Sequence, residues 1–251
     1  MAISFIDVHK QFGEKTVLTG ITMSVERGEV LFVVGTSGVG KSVTIKHIIG
    51  LLTPTSGEII VDGQNVEGLS EKQFLPIRRM VAMVFQASSL FDSLTVLQNV
   101  QLPLKKHKGL NDKKAGEVAM KLLREVGMDA HANTFPADIG DGMRKRVAIA
   151  RALALDPSYI LFDEPTTGLD PVSARRVDRL ILSLARDRNV GCIVVSHDLQ
   201  AIFGIADKIA MVYQGRIYRE GTMEEFRNSS DPVLRQFLSG SSHGPMETPG
   251  F

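Results

Sequence analysis

Two kinds of hydrophobic pattern run along this chain. Residues 3–8 alternate apolar and polar positions, 17–25 do so less cleanly, and the run Ile59-Ile60-Val61 ends in the turn pair Asp62-Gly63. These patterns predict a small antiparallel β lobe in the first sixty residues. Threaded through it, residues 30–34 are apolar at every position, as in a strand covered by helices on both faces of a parallel sheet. Similar runs recur at 81–85, 159–162, 192–195 and 209–213, with helical periodicity between several of them, so a doubly wound α/β core is expected. Between the runs at 81–85 and 159–162, helical patterns that include 115–126 and about 142–155 predict an inserted helical lobe. The expected domain spans 1–239, with core and β lobe at about 1–86 and 157–239 and the helical part at about 87–156. The turn formers after Ser239 predict a flexible tail, 240–251.

Composition narrows the function classes. With 251 residues, 43% hydrophobic and 23% charged, the chain can bury a full core, and a net charge of +1 gives no reason to expect a nucleic-acid partner. The single cysteine, Cys192, sits in the apolar run Cys-Ile-Val-Val and reads as a buried structural thiol, which excludes a disulfide framework. No run approaches the roughly 18 apolar residues of a membrane span, and no basic region followed by a long apolar one opens the chain. The protein is expected in the cytosol, reaching a membrane only through something already there. The lysines at 105, 106, 108, 113 and 114 read as a solvated surface rather than a contact for anionic lipid.

The chemistry begins at Gly35-Thr36-Ser37-Gly38-Val39-Gly40-Lys41-Ser42, which fits G-x-x-x-x-G-K-[ST] between a predicted strand and the helical pattern that opens at Val43. Such a loop turns its main-chain N–H groups onto phosphate oxygens, with Lys41 reaching the β- and γ-phosphates and Ser42 placing its hydroxyl on Mg2+. Asp163-Glu164 follow the apolar run 159–162 at a strand end, where ligands bind in open α/β sheets. Their side chains diverge, so Asp163 is expected to hold Mg2+ through its water shell and Glu164 to accept a proton from the attacking water. His197 closes another strand and is a candidate for the γ-phosphate side; Gln86 closes a third and offers an amide to Mg2+ or to water.

In order along the chain, these residues resemble the ABC ATPases, from Ile3 to about Phe226. The resemblance implies an α/β P-loop NTPase with a RecA-like core, the antiparallel β lobe and the helical insertion. It makes Gln86 the Q-loop, Ile139 to Met143 the signature, Gly168-Leu169-Asp170 the D-loop, His197 the switch histidine and Phe12 the adenine-stacking aromatic, with a core phenylalanine as the alternative for Phe12. It implies ATP and Mg2+ as cofactors and a head-to-tail homodimer in which the signature of one chain, with Gly140, Asp141, Gly142 and Asp170, closes over the nucleotide of the other. It implies a transmembrane permease docked on the helical lobe. The stretch from Phe85 to Val100, with Gln101-Leu-Pro-Leu, is similar to the ATPases of Mla/Mce phospholipid transport systems, where a permease and a lipid-binding Mce-domain protein complete the complex at the inner membrane. Amino-acid and lipoprotein transport ATPases share that loop. An ABC ATPase acting on ribosomes or DNA, or a weakly hydrolysing regulatory subunit, are the other readings, and the end of the chain, 244–251, is a candidate contact for a sister subunit.

One departure stands out: where the family writes Leu-Ser-Gly-Gly-Gln, this chain has Ile139-Gly140-Asp141-Gly142-Met143. Gly140 lacks the hydroxyl that would bond the γ-phosphate, a loss of roughly 1.5–3 kcal/mol. Asp141 would set a carboxylate near that phosphate, on the order of 3 kcal/mol at about 6 Å and an effective dielectric near 20. Together these would slow turnover by about a thousandfold or more. Capping of the next helix by Asp141, or neutralisation by Arg144, Lys145 or Arg146, would soften that cost.

Overall fold

The computed structural model describes residues 1–246. Four strands, β1 (Ala2–Phe12), β2 (Lys15–Glu26), β4 (Ser56–Val61) and β5 (Gln64–Asn65), form an antiparallel sheet in the order β2-β1-β4-β5. A second sheet runs β10-β9-β3-β8-β7-β6, built from β3 (Val30–Val34), β6 (Val81–Val84), β7 (Tyr159–Asp163), β8 (Gly191–Val195), β9 (Lys208–Tyr213) and β10 (Arg216–Gly221). Its strands pair in parallel except for β10, which returns antiparallel along β9.

The uniformly apolar strands are explained by the two cores they separate. Val30, Phe32 and Val34 of β3 point into one core and Leu31 and Val33 into the other; Cys192 and Val194 of β8 divide from Ile193 and Val195 in the same way. One core takes in α4 (Asp112–Glu125), α5 (Asp141–Leu153) and α6 (Pro171–Arg188); the other takes in the β lobe and α1 (Lys41–Ile48). Each fully buried Val, Leu or Ile contributes about 1.5–3 kcal/mol, which fixes the register of every strand between them. The C-terminal ends of β3, β6, β7 and β8 consequently share one edge, and each leads into a segment with candidate chemistry.

The chain also forms α2 (Glu71–Met80), α3 (Val96–Lys108), α7 (Leu199–Ile205), α8 (Met223–Arg227) and α9 (Pro232–Ser239). The predicted helices at 115–126 and 142–155 correspond to α4 and α5, each starting somewhat earlier. The tail reading needs a correction over its first part. Gln236 accepts the Met246 N–H at 2.6 Å, the Tyr213 hydroxyl donates to Pro245 O at 3.1 Å, and Met246 is buried, so 241–246 folds back on α9 and β9. The remaining residues of the expected sister-subunit contact, 247–251, lie outside the described residues. Among the described residues no helix is long and apolar enough to cross a membrane.

Candidate active site

The loop between β3 and α1 is made possible by its glycines. Gly35 has φ 141°, and a Cβ there would lie 2.3 Å from Val212 O, so only glycine lets the chain turn against β9. Among the described residues, none of the main-chain N–H groups from Ser37 to Val43 donates to another main-chain group, while Thr44 N–H begins the helical ladder on Gly40 O at 2.9 Å. A row of free donors at a helix N-terminus suits an anion. Lys41 is buried and folds over the loop, with Nζ donating to Gly35 O at 2.9 Å and Thr36 O at 2.8 Å. Burial lowers its pKa below the usual lysine value, opposed by the charges of Glu164 and Asp163. Lys15, Val17, Ser37, Lys41, Ser42 and Glu164 are among the residues around a cleft of about 350 Å³.

Across this cleft, β7 delivers the acids. Asp163 is buried and accepts from Ser42 Oγ at 2.6 Å. Two hard oxygen donors side by side fit Mg2+, which keeps most of its waters and takes one or two protein ligands. Glu164 sits at φ 47°, a strained conformation for a residue other than glycine. It is locked there by its N–H on Val195 O at 2.9 Å and by the Thr167 hydroxyl on Oε2 at 2.8 Å. His197 Nδ1 stands 3.6 Å from Glu164 Oε1, with its ring mostly in solvent. The structure thus gathers Lys41, Ser42, Asp163, Glu164 and His197 into one constellation. Gln86 lies exposed just beyond β6. Phe12 is 44% exposed at the end of β1, with Lys10 Nζ 4.8 Å from its ring centroid, which removes the core-phenylalanine alternative.

The segment expected to be the signature lies elsewhere. Gly140, Asp141 and Gly142 join Gly168, Leu169 and Asp170 around a separate cleft of about 400 Å³ that shares no lining residue with the first. Gly142 lets α5 approach α6, since a Cβ would fall 2.9 Å from Ser173 Cβ. Asp170 caps α6 by accepting Val172 N–H at 2.9 Å and Ser173 N–H at 3.0 Å; the Ser173 hydroxyl first, and then these main-chain bonds, hold its pKa below the usual carboxylate value. The N-cap of α5 is Gly140, not Asp141, so capping does not absorb the acid. Arg144 does, donating to Asp141 Oδ1 at 2.5 Å while also holding Ile139 O at 3.0 Å and Pro136 O at 3.2 Å. Lys145 and Arg146 make no hydrogen bond to Asp141: Lys145 donates to Phe85 O and Gln86 O, and Arg146, though it lines the same cleft, donates to Val126 O and Gly127 O.

A family profile described as ABC transporter matches residues 18–167, which hold both the phosphate loop and the Asp163-Glu164 strand. The chain belongs to the ABC transporter family. This ABC ATPase is 36% identical over 234 residues to the intermembrane phospholipid transport system ATP-binding protein MlaF of Haemophilus influenzae, covering 93% of this chain and 89% of that one. It is 38% identical over 239 residues to the methionine import ATP-binding protein MetN of Rhizobium johnstonii, covering 95% and 66%. Its fold is similar to the dimeric post-hydrolysis structure of the ATP-binding cassette MJ0796 bound to ADP and Pi, with TM-score 0.80, 31% identity and coverage of 88% and 98%. The P-loop NTPase fold, ATP binding and ATP hydrolysis expected from the sequence are therefore established at the level of the family, whose ATPases work as dimers with transmembrane permeases.

Three features of the ABC ATPase escaped the sequence reading. Lys145, almost fully buried, donates to Phe85 O at 3.0 Å and to Gln86 O, and burial pushes its pKa down to about 8. Arg151 holds Ser88 O and Ser89 O at 3.2 and 2.8 Å. Arg175 of α6 pairs with Asp198, next to His197, and with buried Asp178 at 2.9 Å, tying the loop that carries His197 to the helix that Asp170 caps. The positive charges at 144–146 and 151 were visible, but nothing in their spacing said which of them face carbonyls.

Proposed function

We propose that this chain is the motor subunit of a phospholipid transporter of the Mla/Mce type. Two copies sandwich two Mg-ATP and work on a permease that carries an Mce-domain protein, on the cytoplasmic side of the inner membrane. The N–H groups around Thr36, Ser37, Gly38, Val39, Gly40 and Val43, with Lys41, grip the phosphates; Phe12 stacks on adenine. Ser42 and Asp163, aided by Gln86, would hold Mg2+, which would supply positive charge beside the phosphates. Glu164 takes the proton of the attacking water, and His197 faces the γ-phosphate. The separation of the two clefts carries the dimer reading: the surface formed by Gly140, Asp141, Gly142 and Asp170 takes no part in the cleft at the chain's own phosphate loop, which leaves it for the nucleotide of a second copy. The permease docks on the groove between α3 and the end of β6, with Met83, Phe91, Leu102 and Pro103 on its apolar side and Arg79 and Lys106 among its charges.

The MlaF relatives and the stretch from Phe85 to Val100 support the lipid assignment; methionine import, named for a relative of comparable identity, is the second reading. Purification of the chain with its membrane partners tests both. Co-purifying phospholipid, identified by mass spectrometry, with hydrolysis abolished by Glu164→Gln, is the expected result. A complex free of lipid whose ATPase responds to methionine would replace the lipid reading.

A further inference from the structure

Gln86 has an exposed side chain that makes no hydrogen bond among the described residues, so its place is set by its main chain. That main chain is held from α5. Lys145 reaches the carbonyls of Phe85 and Gln86, and one face further along the helix Arg151 reaches those of Ser88 and Ser89. Ser88 and Ser89 have φ 61° and 49°, two successive left-handed residues without glycine, a conformation that persists only under external restraint. A buried lysine whose partners are carbonyls is a costly way to fill space that a methionine would fill, so the charge is there for what it holds. Lys145 lies five residues from Gly140, the residue that opens α5 towards the signature cleft, and a helix transmits displacement over that span as a rigid rod.

We propose that Lys145 is a positioning residue for ATP hydrolysis, with Arg151 as its second anchor. It joins the Gln86 loop and the N-terminus of α5 into one body, so that Gln86 at a chain's own nucleotide and Gly140 to Gly142 presented to the other copy's nucleotide move together. This rests on the reading of Gln86 given above.

The test is a mutant cycle on steady-state ATPase activity of the assembled transporter, with nucleotide affinity measured in parallel. Lys145→Met is expected to lower kcat about tenfold or more with the Kd for Mg-ATP within about twofold, Lys145→Arg to recover most of the rate, and Lys145→Met combined with Gln86→Ala to be no worse than Gln86→Ala alone. Losses that multiply in the double variant, or a fall in thermal stability with kcat intact, overturn the proposal. Should Lys145→Met not fold, Arg151→Lys, which keeps the charge but holds one carbonyl instead of two, carries the same cycle: a reduced kcat that is non-additive with Gln86→Ala supports the coupling, and an unchanged or multiplicative one overturns it. An unaltered rate for Gln86→Ala alone removes Gln86 from the site and the proposal with it, whereas multiplicative losses beside an active Gln86 remove the coupling only.

Discussion

The cost of an acid at the mouth of the signature cleft depends on what stands beside it. Arg144 is held by two carbonyls as well as by Asp141, so its charge stays in place and offsets most of the field that a bare carboxylate would project onto a γ-phosphate. The thousandfold penalty expected from sequence therefore shrinks, and Asp141→Gly is expected to raise ATPase activity of the assembled complex by only about 2–10-fold, since both partners are partly in water. A rate that is unchanged or lower would mean that Asp141 does not face the nucleotide. Cys192 gives a second check at this scale. It is fully buried and burial pushes its thiol up to about 12, so a thiol reagent at neutral pH should label the unfolded chain and leave the folded one untouched. His47, buried on α1 behind the phosphate loop, has its pKa lowered by burial, opposed by the Val43 carbonyl. The folded chain resists protonation that the unfolded chain accepts near pH 6.5, so stability is lost as pH falls below that value, with a slope of at most about 1.4 kcal/mol per pH unit from this group. Urea midpoints for the protein and for His47→Gln should diverge in pH dependence below about pH 6.5 and run parallel above it.

The elements divide into those that the hydrophobic pattern announces and those set by capping and anchoring. β3, β6, β7, β8 and β9 were legible because burial on both faces leaves an uninterrupted apolar run. α3 was not, because Pro103 interrupts a segment that begins with a capping box of Thr95 and Gln98 and is read more readily as loop. The edge strand β10 was missed for a related reason: it mixes polar and apolar residues, and its partly exposed face leaves no clean period. The loop leading into α3 depends on Asn99, which is fully buried and binds Phe91 N–H, Phe91 O, Leu94 O and Thr95 O. Removing it strands several partly buried main-chain groups at once, so Asn99→Ala should destabilise the protein by about 1–3 kcal/mol in urea denaturation and weaken its pull-down by the permease, while Asn99→Asp should restore only the bond from Phe91 N–H.

At the scale of the whole molecule, the candidate catalytic residues were legible where the chemistry demands neighbours in sequence, as in the run from Gly35 to Ser42 and in Asp163-Glu164. What binds these segments to one another was not: Lys145, Arg151 and Arg175 act on carbonyls or on distant acids, and a carbonyl has no sequence identity. In the proposed dimer, a nucleotide is held between one copy's phosphate loop and another copy's signature cleft. Because Cys192 is shielded, cysteines placed at exposed Lys15, beside the first cleft, and exposed Asp138, just before the second, provide a clean pair for cross-linking between copies in the assembled transporter. In a Glu164→Gln background, a short bifunctional maleimide should join two copies through these sites when Mg-ATP is added, and fail to do so without nucleotide or with Lys41→Ala. Cross-linking that ignores both nucleotide and Lys41, or that never occurs, would contradict the account.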